Sequence, residues 1–419
     1  VHELTSWLSD AADPRSFPYS AVLREFHQVG KHFVDKGLLG LLDSARARLA
    51  TSTGVEGDEP ARLLDDFLDV ALDKWDGRYD YRSYLALRVL GLPGGNDRPA
   101  AEGDVTGRRR HDRLFVGLIA DVVAFELAAL RDTTGLLPQQ RPTPTLVAKR
   151  CRLGARAAAP ALGRLGQPGT ADGCLPAAAA TLRSTTAGPD VAEDALLRLS
   201  MLPVATIHDE YLFIRVLQAY ECLFAGVAAE LGAAVTTLAG DGPGSAADRL
   251  AYARDLIDGS RPLFSLLATM QPESFRTFRQ YTEGASAIQS RSYKLVESLC
   301  RTPEVARLDS VAFRSVPEVR ALASAGQPTV DGAYRTAVRD GRLVGADRDR
   351  VTQRMEEFAA ALGQWRHTHH RIAVRMLGHR SGTGYTEGTP YLAAVRDIPV
   401  FTTVTRPRRP IDQLGGHRS

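Results

Sequence analysis

Cysteine is scarce and scattered in this chain. Four are present in 419 residues, Cys151, Cys174, Cys222 and Cys300, with no C-x-x-C pair. That spacing argues against a thiolate zinc site and a disulfide framework, and it suits a reducing, cytoplasmic setting. Charge of one sign is not in excess either. The net charge is +3 from 52 basic and 49 acidic residues, too small a surplus to suggest a nucleic-acid partner or a membrane surface. Long uninterrupted apolar runs are missing. The most apolar long stretch, Phe115–Leu130, carries Asp121 and Glu126, so it reads as a buried helix rather than a span. A signal peptide is not expected. Alternating Val/Ile/Thr runs, the mark of strands, are few.

What remains is Ala, Leu and Arg at helical spacing, which makes the class mainly α. A chain of this length, 44% hydrophobic, can bury a large core as two lobes or one large helical unit. The spacing predicts helices over 19–50, 61–75 and 79–89, a loop over 91–110, and a long helix over 111–131. A Pro-rich connector covers 132–145 and another helix 146–165. Residues 166–190, rich in Gly, Ala, Thr and Pro, read as the longest link. In the second half, 207–235 is strongly amphipathic, with Phe213, Leu217, Tyr220 and Phe224 on one face. Helices are expected over 246–270, 272–301 and 350–378, the last closed by Gly378. The stretch 302–350 is weakly patterned. These features divide the chain into a helical region 1–195, a second domain 196–405 and a basic tail 406–419. His111-Asp112-Arg113-Leu114-Phe115-Val116 resembles His208-Asp209-Glu210-Tyr211-Leu212-Phe213-Ile214 with one residue gapped, so the first half reads as a possible degenerate copy of the second.

The chemistry-bearing stretch is Trp365–Leu392, WRHTHHRIAVRMLGHRSGTGYTEGTPYL. It sets His367, His369 and His370 on a basic helix before a Gly-rich turn with hydroxyls. Adjacent histidines point to different faces of a helix, so a zinc site is a poor reading. Two further blocks stand in order before it: HDEYLFIRVLQAYECLF, His208–Phe224, and FRTFRQYTEGASAIQSRSYKLVE, Phe275–Glu297. A weaker one is Tyr81-Arg82-Ser83-Tyr84-Leu85-Ala86-Leu87. In sequence order these resemble the blocks of the tryptophan 2,3-dioxygenases, and the three strong ones thread through roughly residues 205–395.

The resemblance implies an all-α haem domain of the tryptophan/indoleamine dioxygenase type with an additional helical N-terminal region. It implies haem b as cofactor and dioxygen as co-substrate. Family spacing selects His369 as the iron's axial ligand, with Trp365 one turn earlier against the ring. Arg279 corresponds to a clamp on an amino acid carboxylate, through two parallel hydrogen bonds. Phe213 and Phe275 flank the substrate ring. Ser286 falls near the haem, and Lys294 stands where the family has an arginine that meets a propionate. Gly382-Thr383-Gly384 corresponds to a mobile cover, with Gly382 close to the cofactor and the Thr383 hydroxyl reading the substrate ammonium. In the family the paired-tyrosine helix lines a neighbour's pocket. Here Tyr81 and Tyr84 could serve their own chain, so that a homo-oligomer such as a dimer suffices.

The departures bear on the substrate. The family's distal histidine, which accepts from the indole N–H, is replaced by Leu217. A buried, unpaired N–H costs ~1–3 kcal/mol. Ser286-Ala287 replaces Ser-Gly, and Tyr385 and Glu387 enlarge and charge the cover. The expectation is insertion of dioxygen across the indole C2–C3 bond of L-tryptophan or a modified tryptophan, in specialised metabolism. Two alternatives stand beside it: hydroxylation of an aromatic amino acid or indole, and a non-catalytic haem or amino acid sensor.

Overall fold

The computed structural model describes residues 2–9, 12–51, 58–92, 105–167, 191–240, 242–377 and 389–404. Among these the regular structure is helical, and the one strand-type pairing is an isolated bridge between Gln139 and Ile207. The architecture is a bundle around one central helix, His208–Ala239, with further helices from the N-terminal part of the chain.

The central helix is apolar on nearly every face, and such a helix is stable only when surrounded. It packs against Val105–Leu130, Ala246–Gly259, Arg291–Cys300 and Val330–Arg339. It is long and apolar enough to cross a membrane, but 67% of that stretch is buried inside the protein, as in a core helix. Asp209 and Glu210 occupy its first turn, where carboxylates oppose the positive end of the helix dipole. Both are fully buried, so they need partners. Arg150 supplies one: it donates to Asp209 and to Glu126 at 2.7 Å each, and to the Thr269 hydroxyl and carbonyl at 3.1 Å. The other Asp209 oxygen accepts from the Gln271 backbone N–H at 2.6 Å. One guanidinium thus fixes the start of the central helix against three other segments.

The main apolar core draws on both sides of residue 195. It combines side chains from Tyr81 to Leu162 with side chains from Met201 to Val404. A second cluster gathers residues between Leu4 and Leu72 with Ala86, Val89, Leu199 and Leu202. The two His-Asp pairs of the proposed repeat sit in related surroundings. Asp112 takes Arg164 and Asp209 takes Arg150, both from the helix Pro144–Arg164. Cys151, Cys222 and Cys300 are free and buried.

Several expected helices are shorter or split. The 19–50 helix is Tyr19–Val29 and Lys36–Thr51, separated at Gly30, whose positive φ of 85° sits against the Val204–Ala205 backbone. The 246–270 helix breaks at Ser260, before Pro262. The 272–301 helix is Pro272–Arg279 and Arg291–Cys300, with a short 3-10 turn between them. Of the 79–89 helix only Tyr81–Tyr84 is α-helical. The long helix expected from 111 already begins at Val105. The weakly patterned 302–350 stretch holds four short helices between Val305 and Arg339. Gly378 as a helix stop and the basic tail from 406 lie outside the described residues.

Candidate active site

Two long helices face one cavity. Phe213, Leu217, Tyr220, Glu221 and Phe224 line it from the central helix, and Trp365, Arg366, His369, Ile372, Ala373 and Met376 from Gly345–Leu377. The cavity holds about 1670 Å³ of empty space, counting its open mouth.

The sequence left three histidines competing. Of these, His369 lines the cavity and His367 and His370 do not. His367 instead lies 4.0 Å from Asp397. The His369 ring packs against Trp365 (centroids 5.1 Å) and lies nearly parallel to Phe264 (6.3 Å, 20°). Burial, with electrostatic repulsion from His370 and Lys294, lowers its pKa to about 4. At neutral pH it is therefore an uncharged imidazole with a lone pair to give, the form an iron requires. The Trp365 indole N–H is buried without a partner.

The second block turns the corner that helical spacing alone could not foresee. Gly284 has φ +87° and lies close to the Tyr79 carbonyl oxygen, a conformation side chains avoid. This turn carries Ser286 to the cavity wall, where Arg279, Phe275 and Phe278 also stand. Phe213, Phe275 and Phe278 form an aromatic group with centroids 5.3–5.7 Å apart. Ser286 and Gln289 form a reciprocal cap, and the Gln289 side-chain oxygen also accepts from the Tyr81 backbone N–H at 3.1 Å. That bond ties the paired-tyrosine segment to the wall. Tyr81 and Tyr84 both line the cavity of their own chain. The Gln218 side chain holds the same segment by donating to the Leu85 carbonyl at 2.8 Å.

Lys294 is buried and lines the cavity. Burial lowers its pKa to about 8, with Glu297, 3.6 Å away, opposing the shift. Glu297 is itself held by Arg307 through two bonds of 2.6 and 2.9 Å, and Arg307 donates to the Tyr391 hydroxyl at 2.9 Å. Despite the cost of burial, Lys294 and Arg307 keep the Glu297 carboxyl ionised down to about 2. Arg366 donates to the Tyr293 hydroxyl at 2.8 Å and to the Ile398 carbonyl at 2.6 Å. Lys294, Arg307, Arg366 and Arg396 all line the cavity, so their end of it is set up for anions. These features fit haem: a neutral nitrogen donor at the wall of a mainly apolar cavity, and cationic side chains for propionates. Gly382 and Thr383, with Tyr385 and Glu387, lie outside the described residues.

Leu217 lines the cavity with its apolar surface. The reading from sequence passed over Glu221, one turn further along the same helix. It is buried, it is the one carboxylate among the described lining residues, and it takes hydrogen bonds from the Tyr81, Ser290 and Ser292 hydroxyls. Its four-residue offset from Leu217 was legible; its burial was not.

No protein-family model matches the chain. Three similar curated proteins are each called tryptophan 2,3-dioxygenase. One from a Polaromonas species is 28% identical, covering 51% of this chain and 84% of the relative. One from a Nocardioides species is 32% identical over 44% of this chain and 79% of the relative. One from Bacillus cereus is 28% identical over 46% and 81%.

Proposed function

The chain belongs to the tryptophan 2,3-dioxygenase family, and from that premise we propose that it is a haem-dependent oxygenase acting on L-tryptophan or a modified tryptophan. The observation that carries this reading is His369, a neutral imidazole packed on Trp365 at the wall of a cavity with a cationic end. When bound, haem supplies the iron that activates dioxygen. The remaining work belongs to the chain. His369 donates its nitrogen to the iron. Lys294, Arg307 and Arg366 neutralise the propionates. Arg279 takes the substrate carboxylate, and Phe213 and Phe275 hold the ring by its faces. The apolar wall excludes water, which strengthens each of these polar contacts. Both atoms of one dioxygen are added across indole C2–C3, and that bond breaks to give an N-formylkynurenine-type product.

Leu217 directs the choice of substrate. It cannot accept from an indole N–H, so a substituent on that nitrogen meets no lost hydrogen bond here. We read the preferred substrate as a modified tryptophan of a specialised pathway. Tyr81 and Tyr84 line their own chain's cavity, which supports a pocket that draws these tyrosines from its own chain.

Turnover of tryptophan and N1-methyltryptophan, with product mass, tests the proposal. The expected product gains both oxygen atoms, and the methylated substrate is turned over at least as well. A single added oxygen would point to hydroxylation. No turnover of any indole amino acid would point to a sensor. A strong preference for the free N–H would remove the assigned role of Leu217.

A further inference from the structure

The corner that follows Arg279 is gripped by residues that precede every family-like block. Tyr281 packs its ring against His32 (centroids 4.8 Å) and Phe33 (5.0 Å). Its carbonyl accepts from Lys74 Nζ at 2.9 Å. The other half of that peptide group is the Thr282 N–H, which donates to the Arg279 carbonyl at 3.2 Å. The Thr282 hydroxyl donates to the same oxygen at 3.0 Å. Arg279 and Thr282 both line the cavity. One peptide unit therefore joins Lys74 to the backbone of Arg279. A charged donor on a peptide oxygen polarises the unit and strengthens the bond its N–H makes. A cation is also favoured at a helix C-terminus, and Pro272–Arg279 ends here.

Lys74 is itself held in place. Its Nζ lies 3.8 Å from the centre of the Tyr79 ring, within cation–π range. Its backbone N–H donates to Asp73 at 2.6 Å. Asp73 is buried and paired with buried Lys31 at 2.6 Å. The Lys31 backbone N–H donates to the Pro203 carbonyl at 2.8 Å, just ahead of the central helix. Burial lowers the Lys74 pKa, and Lys31 adds to that, while Asp73, Glu210 and Glu283 favour the charged form.

We propose that Lys74 is a positioning residue for the substrate carboxylate: through the Tyr281–Thr282 peptide it fixes Arg279 at the cavity wall. The N-terminal helices are then a working part of the amino acid site. This rests on the Arg279 clamp proposed above and adds what holds it.

Anaerobic calorimetric titration of the holoprotein with tryptophan and with tryptamine, which lacks the carboxylate, tests it. Wild type should bind tryptophan more tightly. Lys74→Met should cut that preference about tenfold or more, the effect of one charge-assisted hydrogen bond. Tryptamine binding should stay within a few-fold and the Soret band should not move. Lys74→Arg, which can reach the same carbonyl, should restore most of the preference. Lys74→Gln, polar and neutral, should lose part of it, and covers the case in which the methionine variant does not fold. In an Arg279→Met background, Lys74→Met should change the preference little further. If the Lys74 variants keep the wild-type preference, weaken both ligands alike, or add fully to Arg279→Met, this inference is wrong and the clamp reading stands. If wild type binds tryptamine as tightly as tryptophan, the clamp itself falls and this inference with it. If neither ligand binds, the proposed function falls as well.

Discussion

The two long helices that face the cavity treat polar atoms in opposite ways. On Gly345–Leu377, His369, the proposed axial ligand, packs against Trp365 and Phe264. Its uncharged state follows first from burial, with Lys294 adding to it. On His208–Ala239, Leu217 lines the cavity at the position proposed for the family's hydrogen-bond acceptor, and the Glu221 carboxyl lines it one turn away. One wall keeps the group that would hold the cofactor. The other has changed the group that would read the ring. In the proposed reading chemistry and substrate choice are separable, because they are assigned to different helices with different supports.

That contrast can be tested in order of expected effect. Arg150→Met should loosen the wall that carries Leu217, since it leaves Asp209 and Glu126 buried without their cation. The expected loss is about 3–5 kcal/mol of stability, measured by denaturant unfolding. An unchanged midpoint would contradict the assigned role of this ion cluster. Arg279→Met should weaken substrate binding about a hundredfold or more by removing two charge-assisted hydrogen bonds of about 1.5 kcal/mol or more each, with the haem spectrum unaltered. A spectrum lost together with binding would mean that the substrate and cofactor sites are not separable.

Leu217→His sharpens the comparison from the substrate side. Restoring an acceptor should move preference toward tryptophan over its N1-methyl derivative by about tenfold to a hundredfold, equivalent to ~1–3 kcal/mol. Equal preference in both proteins would mean position 217 does not meet the ring nitrogen. The smallest effect concerns the cationic end of the cavity. The folded pKa of Glu297 lies below its ordinary value of 4.5, at about 2. Its contribution is therefore present above the ordinary value and is lost as pH falls through about 2. Unfolding followed from neutral to strongly acid pH should show this loss in wild type. Glu297→Gln should be less stable at neutral pH and should lack that part of the acid slope.

How much could be read beforehand follows the same physical division. The central helix was legible because its apolar residues recur without interruption from Tyr211 to Leu238. The break after Arg279 was not, because Phe275–Glu297 has no proline and Gly284 matters only through its positive φ beside Tyr79. The four short helices after residue 302 gave weak patterns because each spans three turns or fewer. Most of the site residues named from the family blocks line one cavity: Arg279, Phe213, Phe275, Ser286, Lys294, Trp365 and His369, with Tyr81 and Tyr84. Glu221 escaped notice because a glutamate on a helix is usually solvated, and only packing shows that this one is buried at the cavity wall.

The central claim is that His369 holds the haem. Its most direct test is the absorption spectrum of haem-reconstituted protein, wild type against His369→Ala, with and without carbon monoxide. Wild type should take up stoichiometric haem, with a Soret band that shifts on carbon monoxide, and His369→Ala should lose that band while remaining folded. Stoichiometric haem binding with an unchanged spectrum in the variant would place the ligand elsewhere and contradict the account.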